Sequence, residues 1–141
     1  MDWYLLRILE FLRGWLTFSS MRGPLGERGE RWCARHLRRK GYLILEQQCR
    51  DRMAEADLIA YYRGKLIVIE VKTRSRLGVR RPEHAVNAAK QLRLCRFIQR
   101  YAKRHRLDSL SIRFDVVALI WPPRHRHPQL THFKNAFRMR R

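Results

Sequence analysis

From Ala54 to Arg74 the chain reads A-E-A-D-L-I-A-Y-Y, then R-G, then K-L-I-V-I-E-V-K-T-R. Two apolar runs of strand length, separated only by a polar turn that carries glycine, leave little alternative to an antiparallel hairpin. With Arg63 and Gly64 as a two-residue loop, Asp57 falls opposite Glu70 and Glu55 opposite Lys72. Successive strand residues point to opposite faces, so all four side chains then share one face. A four-residue loop preserves this register, whereas a three- or five-residue loop breaks it. The neighbours Leu58, Ile59, Leu66, Ile67, Val68, Ile69 and Val71 are nearly continuously apolar. That pattern is expected of strands covered on both sides.

Like charges placed directly opposite each other destabilise a strand pair, so an Asp57/Glu70 pairing calls for a cation between them. Mg²⁺ or Mn²⁺ suits hard oxygen ligands that leave room for water. Lys72 would then sit beside the ion, placed to position an attacking water or to support charge in a phosphorane-like transition state. The competing reading is ordinary ion pairing, Glu55 with Lys72 and Glu70 with Arg74. Buried carboxylates require either partners or a metal.

The spacing from Asp57 to Glu70-Val71-Lys72 resembles the PD-(D/E)XK signature of the restriction-endonuclease-like nucleases. More narrowly, residues 26–137 resemble the YraN-like family of bacterial proteins through six ordered pieces. These are G-E-R-G-E-R-W-C-A-R-H-L-R-R-K-G-Y from Gly26, E-A-D-L-I from Glu55, V-I-E-V-K-T-R from Val68, the Val86 to Lys90 spacing, R-F-D-V-V from Arg113 and H-F-K-N-A-F from His132. The resemblance implies Asp57 and Glu70 as metal ligands, Lys72 as the catalytic lysine, and Glu30 and Glu55 as accessory acids. It also implies a restriction-endonuclease-like fold, α/β or α+β, with a central mixed sheet flanked by helices. Two departures stand out. The family pattern Gly-Glu-Ile-Asp is here Ala54-Glu55-Ala56-Asp57, and its Asn is here Gln48.

Charge points to a polyanionic partner, since 32 Lys and Arg face 12 Asp and Glu, a net +20 over 141 residues. After Glu83 only Asp108 and Asp115 are acidic. Such a chain is expected to bind nucleic acid, DNA above all, through salt-sensitive phosphate contacts with little sequence information. An acidic lipid surface, or a compositional preference for arginine, would give the same total. Candidate contacts are Arg74, Arg76, Arg80 and Arg81 after the second hairpin strand, and Lys90, Arg93, Arg96 and Arg100 on the helix that follows. A homodimer is compatible with cutting two strands. Cys33, Cys49 and Cys95 are widely spaced with no C-x-x-C, which suits reduced thiols in a cytoplasmic protein. His125 and His127 lack zinc-site spacing and read as a solvated basic loop.

Length fits one domain over residues 21–141. The coarse order is a helix over 26–40 ending at Gly41, strands near 42–50, 54–61 and 65–73, a helix from Pro82 to about His105, and a strand over 113–120 with Asp115 paired to an arginine. Phe133 or Phe137 would then dock the tail on the core. On the long helix, Ala85, Ala88, Ala89, Leu92, Cys95 and Ala102 form a small-residue stripe expected to pack on the sheet, with Arg93, Arg96, Arg100, Lys103 and Arg104 beside it. Leu94, Phe97, Ile98 and Tyr101 would then need another cover. Residues 1–20 form an apolar helical extension with Leu5, Ile8, Leu9, Leu12, Trp15 and Leu16 at helical spacing, interrupted by Arg7, Glu10 and Arg13. Three roles fit it: a packing helix over the Leu94 side or in a dimer, an interfacial membrane helix, or sequence upstream of a true start at Met21.

Overall fold

The structure is a computed structural model and describes residues 25–76 and 87–139. Its elements are α1 (Leu25–Arg39), β1 (Leu43–Arg50), β2 (Glu55–Tyr62), β3 (Lys65–Arg74), α2 (Ala88–Arg104), β4 (Ser111–Ile120) and β5 (Gln129–Phe137). The strands form one sheet in the order β1-β2-β3-β4-β5. β3 and β4 are parallel, joined by the crossover that contains α2, and the other neighbours are antiparallel. This is the mixed α+β architecture expected from the sequence. The proposed extension over residues 1–20 lies outside the described residues, as do Pro82, Arg80 and Arg81.

The hairpin register is the expected one. Tyr62 pairs with Lys65 and Leu58 with Ile69 across a two-residue loop. Arg63 and Gly64 have φ of 47° and 79°, the two positive values that a type I′ turn demands. Glycine meets the second of these without a Cβ penalty.

Among the described residues each sheet face carries one helix. On one side Cys33, Ala34 and Leu37 of α1 pack with Leu58, Ala60, Ile67, Ile69, Val71, Val117 and Leu119. On the other, Leu94, Phe97, Ile98 and Tyr101 of α2 pack with Ile59, Leu66, Val68, Phe114 and Val116. Residues 66 and 68 therefore face α2, residues 67, 69 and 71 face α1, and by alternation Glu70 and Lys72 face α2.

Helix α1 approaches β3 closely at one point. A Cβ at Gly29 would collide with the Thr73 side-chain oxygen. Gly29 thus sets how near the helix lies to the sheet, and Glu30, the next residue, inherits that placement. Gly29→Ala is expected to lower stability by about 1–3 kcal/mol through overpacking. Urea unfolding would measure this, and a loss below roughly 0.5 kcal/mol would show that Thr73 simply turns aside.

One expectation is corrected in part. The α2 face against the sheet carries the large side chains Leu94, Phe97, Ile98 and Tyr101 together with Cys95 and Ala102 of the expected small-residue stripe, while Ala88 and Ala89 are exposed. Burying the large side chains removes more apolar area from water, so they take the sheet and need no other cover. Phe133 and Phe137 pack on the core as expected, Phe137 stacked on Phe114 at 4.5 Å between ring centroids, and the tail that carries them forms a whole strand, β5.

Candidate active site

Asp57 and Glu70 meet where the hairpin opens. Backbone pairing of β2 with β3 is recorded from the turn as far as Leu58 and Ile69. Beyond it the Val71 amide donates to Asp57 Oδ2 at 2.8 Å, so the carboxylate takes the place of a strand carbonyl. Its charge is thereby anchored on the end of β3, beside Glu70. Glu55, two residues earlier on β2, is exposed and lies 3.6 Å from Arg50 on β1.

Glu70 is 1% exposed. Its Oε2 accepts from Lys90 Nζ at 2.7 Å, while its Oε1 is buried with no partner. Burial pushes the carboxyl up to about 7, and the neighbouring Asp57 charge adds to the rise against the pull of Lys90 and Lys72. A buried acid with one satisfied and one bare oxygen, next to a second acid, is poised to accept a further cation.

Glu30 reaches the same region from the opposite face. It accepts from Gln48 Nε2 at 2.9 Å. Burial raises its pKa, Gln48 opposes the rise, and Asp57, Glu55 and Glu27 all repel its charge. The four acids thus share one field. Gln48 has φ of 49°, a left-handed backbone in which asparagine is favoured over longer side chains. Asn, which the resemblance implies here, would take this conformation with less strain. Ala54, where the pattern has Gly, is not among the residues with positive φ. Alanine therefore fits there without strain.

The loop ahead of β2 is held by a residue that the sequence did not single out. Asp51 Oδ1 accepts from the amides of Met53 at 2.7 Å and Ala54 at 3.0 Å, and its Oδ2 accepts from Arg100 Nε at 2.8 Å. Arg100, expected on nucleic acid, is engaged in fastening this loop to α2. A cleft of about 280 Å³ opens beside it, lined by Ala54, Glu55, Asp57, Lys90, Arg93 and Leu94. Arg93 and Arg96 are exposed on α2, and Arg74 and Arg76 on the end of β3 and just past it. Lys90, expected among the phosphate contacts, is paired with Glu70 in the acidic cluster.

The model of the uncharacterised protein family UPF0102 matches residues 29–119. This chain belongs to that family. The match runs from the glycine that seats α1 to the penultimate residue of β4, and so takes in Glu30, Glu55, Asp57, Glu70, Lys72 and Lys90. Among UPF0102 relatives, protein RB9115 of Rhodopirellula baltica is 43% identical over 136 residues, covering 91% of this chain and 81% of its own length. The UPF0102 protein of Syntrophotalea carbinolica is 41% identical over 122 residues, 86% of this chain and 96% of its own. That of Clavibacter michiganensis is 39% identical over 98 residues, 70% and 83%. UPF0102 is the YraN-like family that the six sequence pieces resemble, and no described helix is long and apolar enough to cross a membrane.

Proposed function

We propose that this UPF0102 protein is a Mg²⁺- or Mn²⁺-dependent endonuclease that hydrolyses phosphodiester bonds in DNA. The observation that carries the reading is the bare, buried Oε1 of Glu70 beside Asp57, with Lys72 on the same strand face. The donor set fits the ion. The ligands would be two carboxylates, Asp57 and Glu70, since among the described residues no group of three or more His, Cys, Asp or Glu side chains is placed to hold a metal ion. Mg²⁺ keeps several waters and takes one or two carboxylates plus substrate phosphate, so two acids meet its demand.

Asp57 and Glu70 would hold the ion, with Glu30 and Glu55 adding negative potential around them. When bound, the ion supplies Lewis-acid stabilisation of the phosphoryl charge. The Lys72 ammonium orients the attacking water and offsets charge that grows on the phosphoryl oxygens, a fixed donor that needs no reorganisation during reaction. Arg93 in the cleft, with Arg96, Arg74 and Arg76 nearby on the surface, would grip the flanking phosphates without reading bases. The net charge of +20 favours DNA approach and makes binding fall steeply with salt. Cys33, Cys49 and Cys95 are buried and form no disulfide, in keeping with a reducing cytoplasm.

The test is cleavage of labelled single-stranded, duplex, flap and four-way-junction DNA in Mg²⁺, Mn²⁺ or EDTA, for the native chain, Glu70→Ala and Lys72→Ala. Metal-dependent cutting that both changes abolish supports the reading and reports the preferred substrate shape. Salt-sensitive binding with no cutting of any substrate sinks it in favour of a nucleic-acid-binding module on a nuclease-like scaffold.

A further inference from the structure

We propose that Lys90 is an internal placeholder for the divalent ion, exchanging its bond to Glu70 for a phosphate of the nucleic acid when the ion enters, so that ion and substrate reinforce each other's binding. The inference deepens the nuclease reading and rests on it.

Three observations converge. First, the Lys90 ammonium lies 2.7 Å from Glu70 Oε2 and is the cation that this buried carboxylate already holds. A divalent ion ligated by the same carboxylate would stand within a few ångströms of that ammonium, where repulsion between cations in a partly dry site is far above thermal energy. An ion on the bare Oε1 therefore weakens the hold of Oε2 on the Lys90 ammonium and drives it toward another anion.

Second, the helix itself does not hold Lys90 against Glu70. It is the third residue of α2, its amide capped by the Asn87 side chain at 2.9 Å, and the first turn carries no acid. A lysine there opposes the positive end of the helix dipole, and Glu70 is what offsets it. Once Glu70 is neutralised by the ion, helix and ion both repel the ammonium.

Third, a destination is at hand. Lys90 and Arg93 line the same cleft, and the Lys90 side chain is 31% exposed, so its end lies at the border between the buried acid and solvent. Glu55 and Asp57 line the cleft as well, but Glu55 lies 3.6 Å from Arg50 and Asp57 would be on the ion, so a phosphate there would face Arg93 and the released ammonium together. The long lysine stem turns between the two anions without moving the helix. Because each ligand favours the same position of Lys90, each must tighten the other by the same factor.

The experiment is calorimetric titration of the full chain with Mn²⁺ alone, for the native protein, Lys90→Met and Lys90→Gln, followed by fluorescence anisotropy of a duplex DNA with and without Ca²⁺. Without DNA, both variants are expected to bind Mn²⁺ about 5- to 50-fold more tightly than the native chain. Ca²⁺ is expected to strengthen duplex binding by a comparable factor in the native chain and not in the variants. The second variant serves if the first does not fold. Equal Mn²⁺ affinity in all three chains overturns the placeholder and leaves the nuclease reading intact. Weaker affinity in the variants overturns it too, making Lys90 a residue that positions Glu70. If no chain, native included, takes up Mn²⁺, the metal-dependent reading falls and the placeholder with it.

Discussion

Glu70→Gln is expected to reduce metal-dependent cleavage by on the order of 10²–10³-fold or more, the scale on which one preorganised electrostatic group is felt, and to make the metal-free protein more stable above neutral pH. The opposite signs come from one cause. Glu70 titrates at about 7 in the folded chain against 4.5 as its ordinary value. Between those pH values the folded state keeps a proton that the unfolded state has released, so stability falls as pH rises from about 4.5 to about 7. The full cost stands above that window, at roughly 3 kcal/mol. Glutamine fills the same space with no charge to desolvate. Part of the gain is returned because Lys90 then faces a neutral amide, leaving a net of about 1–3 kcal/mol at pH 8 and almost none at pH 4. Urea unfolding at the two pH values decides this. Equal or lower stability of the variant at pH 8 would mean that Lys90 and Lys72 already compensate the buried charge.

Asp115→Ala is expected to have the largest effect on folding, a loss of about 3–5 kcal/mol. Asp115 is fully buried on β4. Its two oxygens accept from Arg113 Nε and Nη2, each at 2.8 Å, and from the Asn135 amide at 2.9 Å, with His132 Nε2 at 2.8 Å. Burial pushes its pKa up, but the bonds to His132, Arg113 and Asn135 overcome that and hold it below the usual aspartate value. Its contribution is accordingly present above the ordinary aspartate range and lost as pH falls through the lowered folded value. Alanine would strand a largely buried guanidinium and an amide on the irregular stretch of β5, where the register shifts opposite Phe114 and Val116. Chemical denaturation at neutral pH is the measurement. A loss under about 1 kcal/mol would show that Arg113 turns to solvent or is held well enough by its bond to Tyr42.

The hairpin was legible because its loop has two residues, which makes register a matter of counting, and because alternation then puts Asp57, Glu70 and Lys72 on a shared face. Lys90 was legible only in part. It lies four residues before Leu94, seven before Phe97 and eleven before Tyr101, and so shares the stripe that packs on the sheet. Assigning the packing face to the alanines turned that stripe outward and put Lys90 among the surface cations. β5 escaped because T-H-F-K-N-A-F alternates weakly, is half exposed as an edge strand, and includes Asn135 at φ of 54°. Asp51 escaped for a different reason. Its partner Arg100 is 49 residues away, a contact made by tertiary structure and marked by no local pattern.

The turn at Arg63-Gly64 bears on how this chain tolerates changes of length. β2 and β3 are buried on both faces, so hydrophobic burial alone does little to punish a strand that slips by one position. The register is guarded by a two-residue loop at the far end of the hairpin from the acids. A one-codon insertion or deletion there would leave a chain still able to bury its strands, yet would send Asp57 and Glu70 to opposite sides of the sheet. Natural variation in the length of this tip is therefore the kind of change that keeps the fold and silences the site.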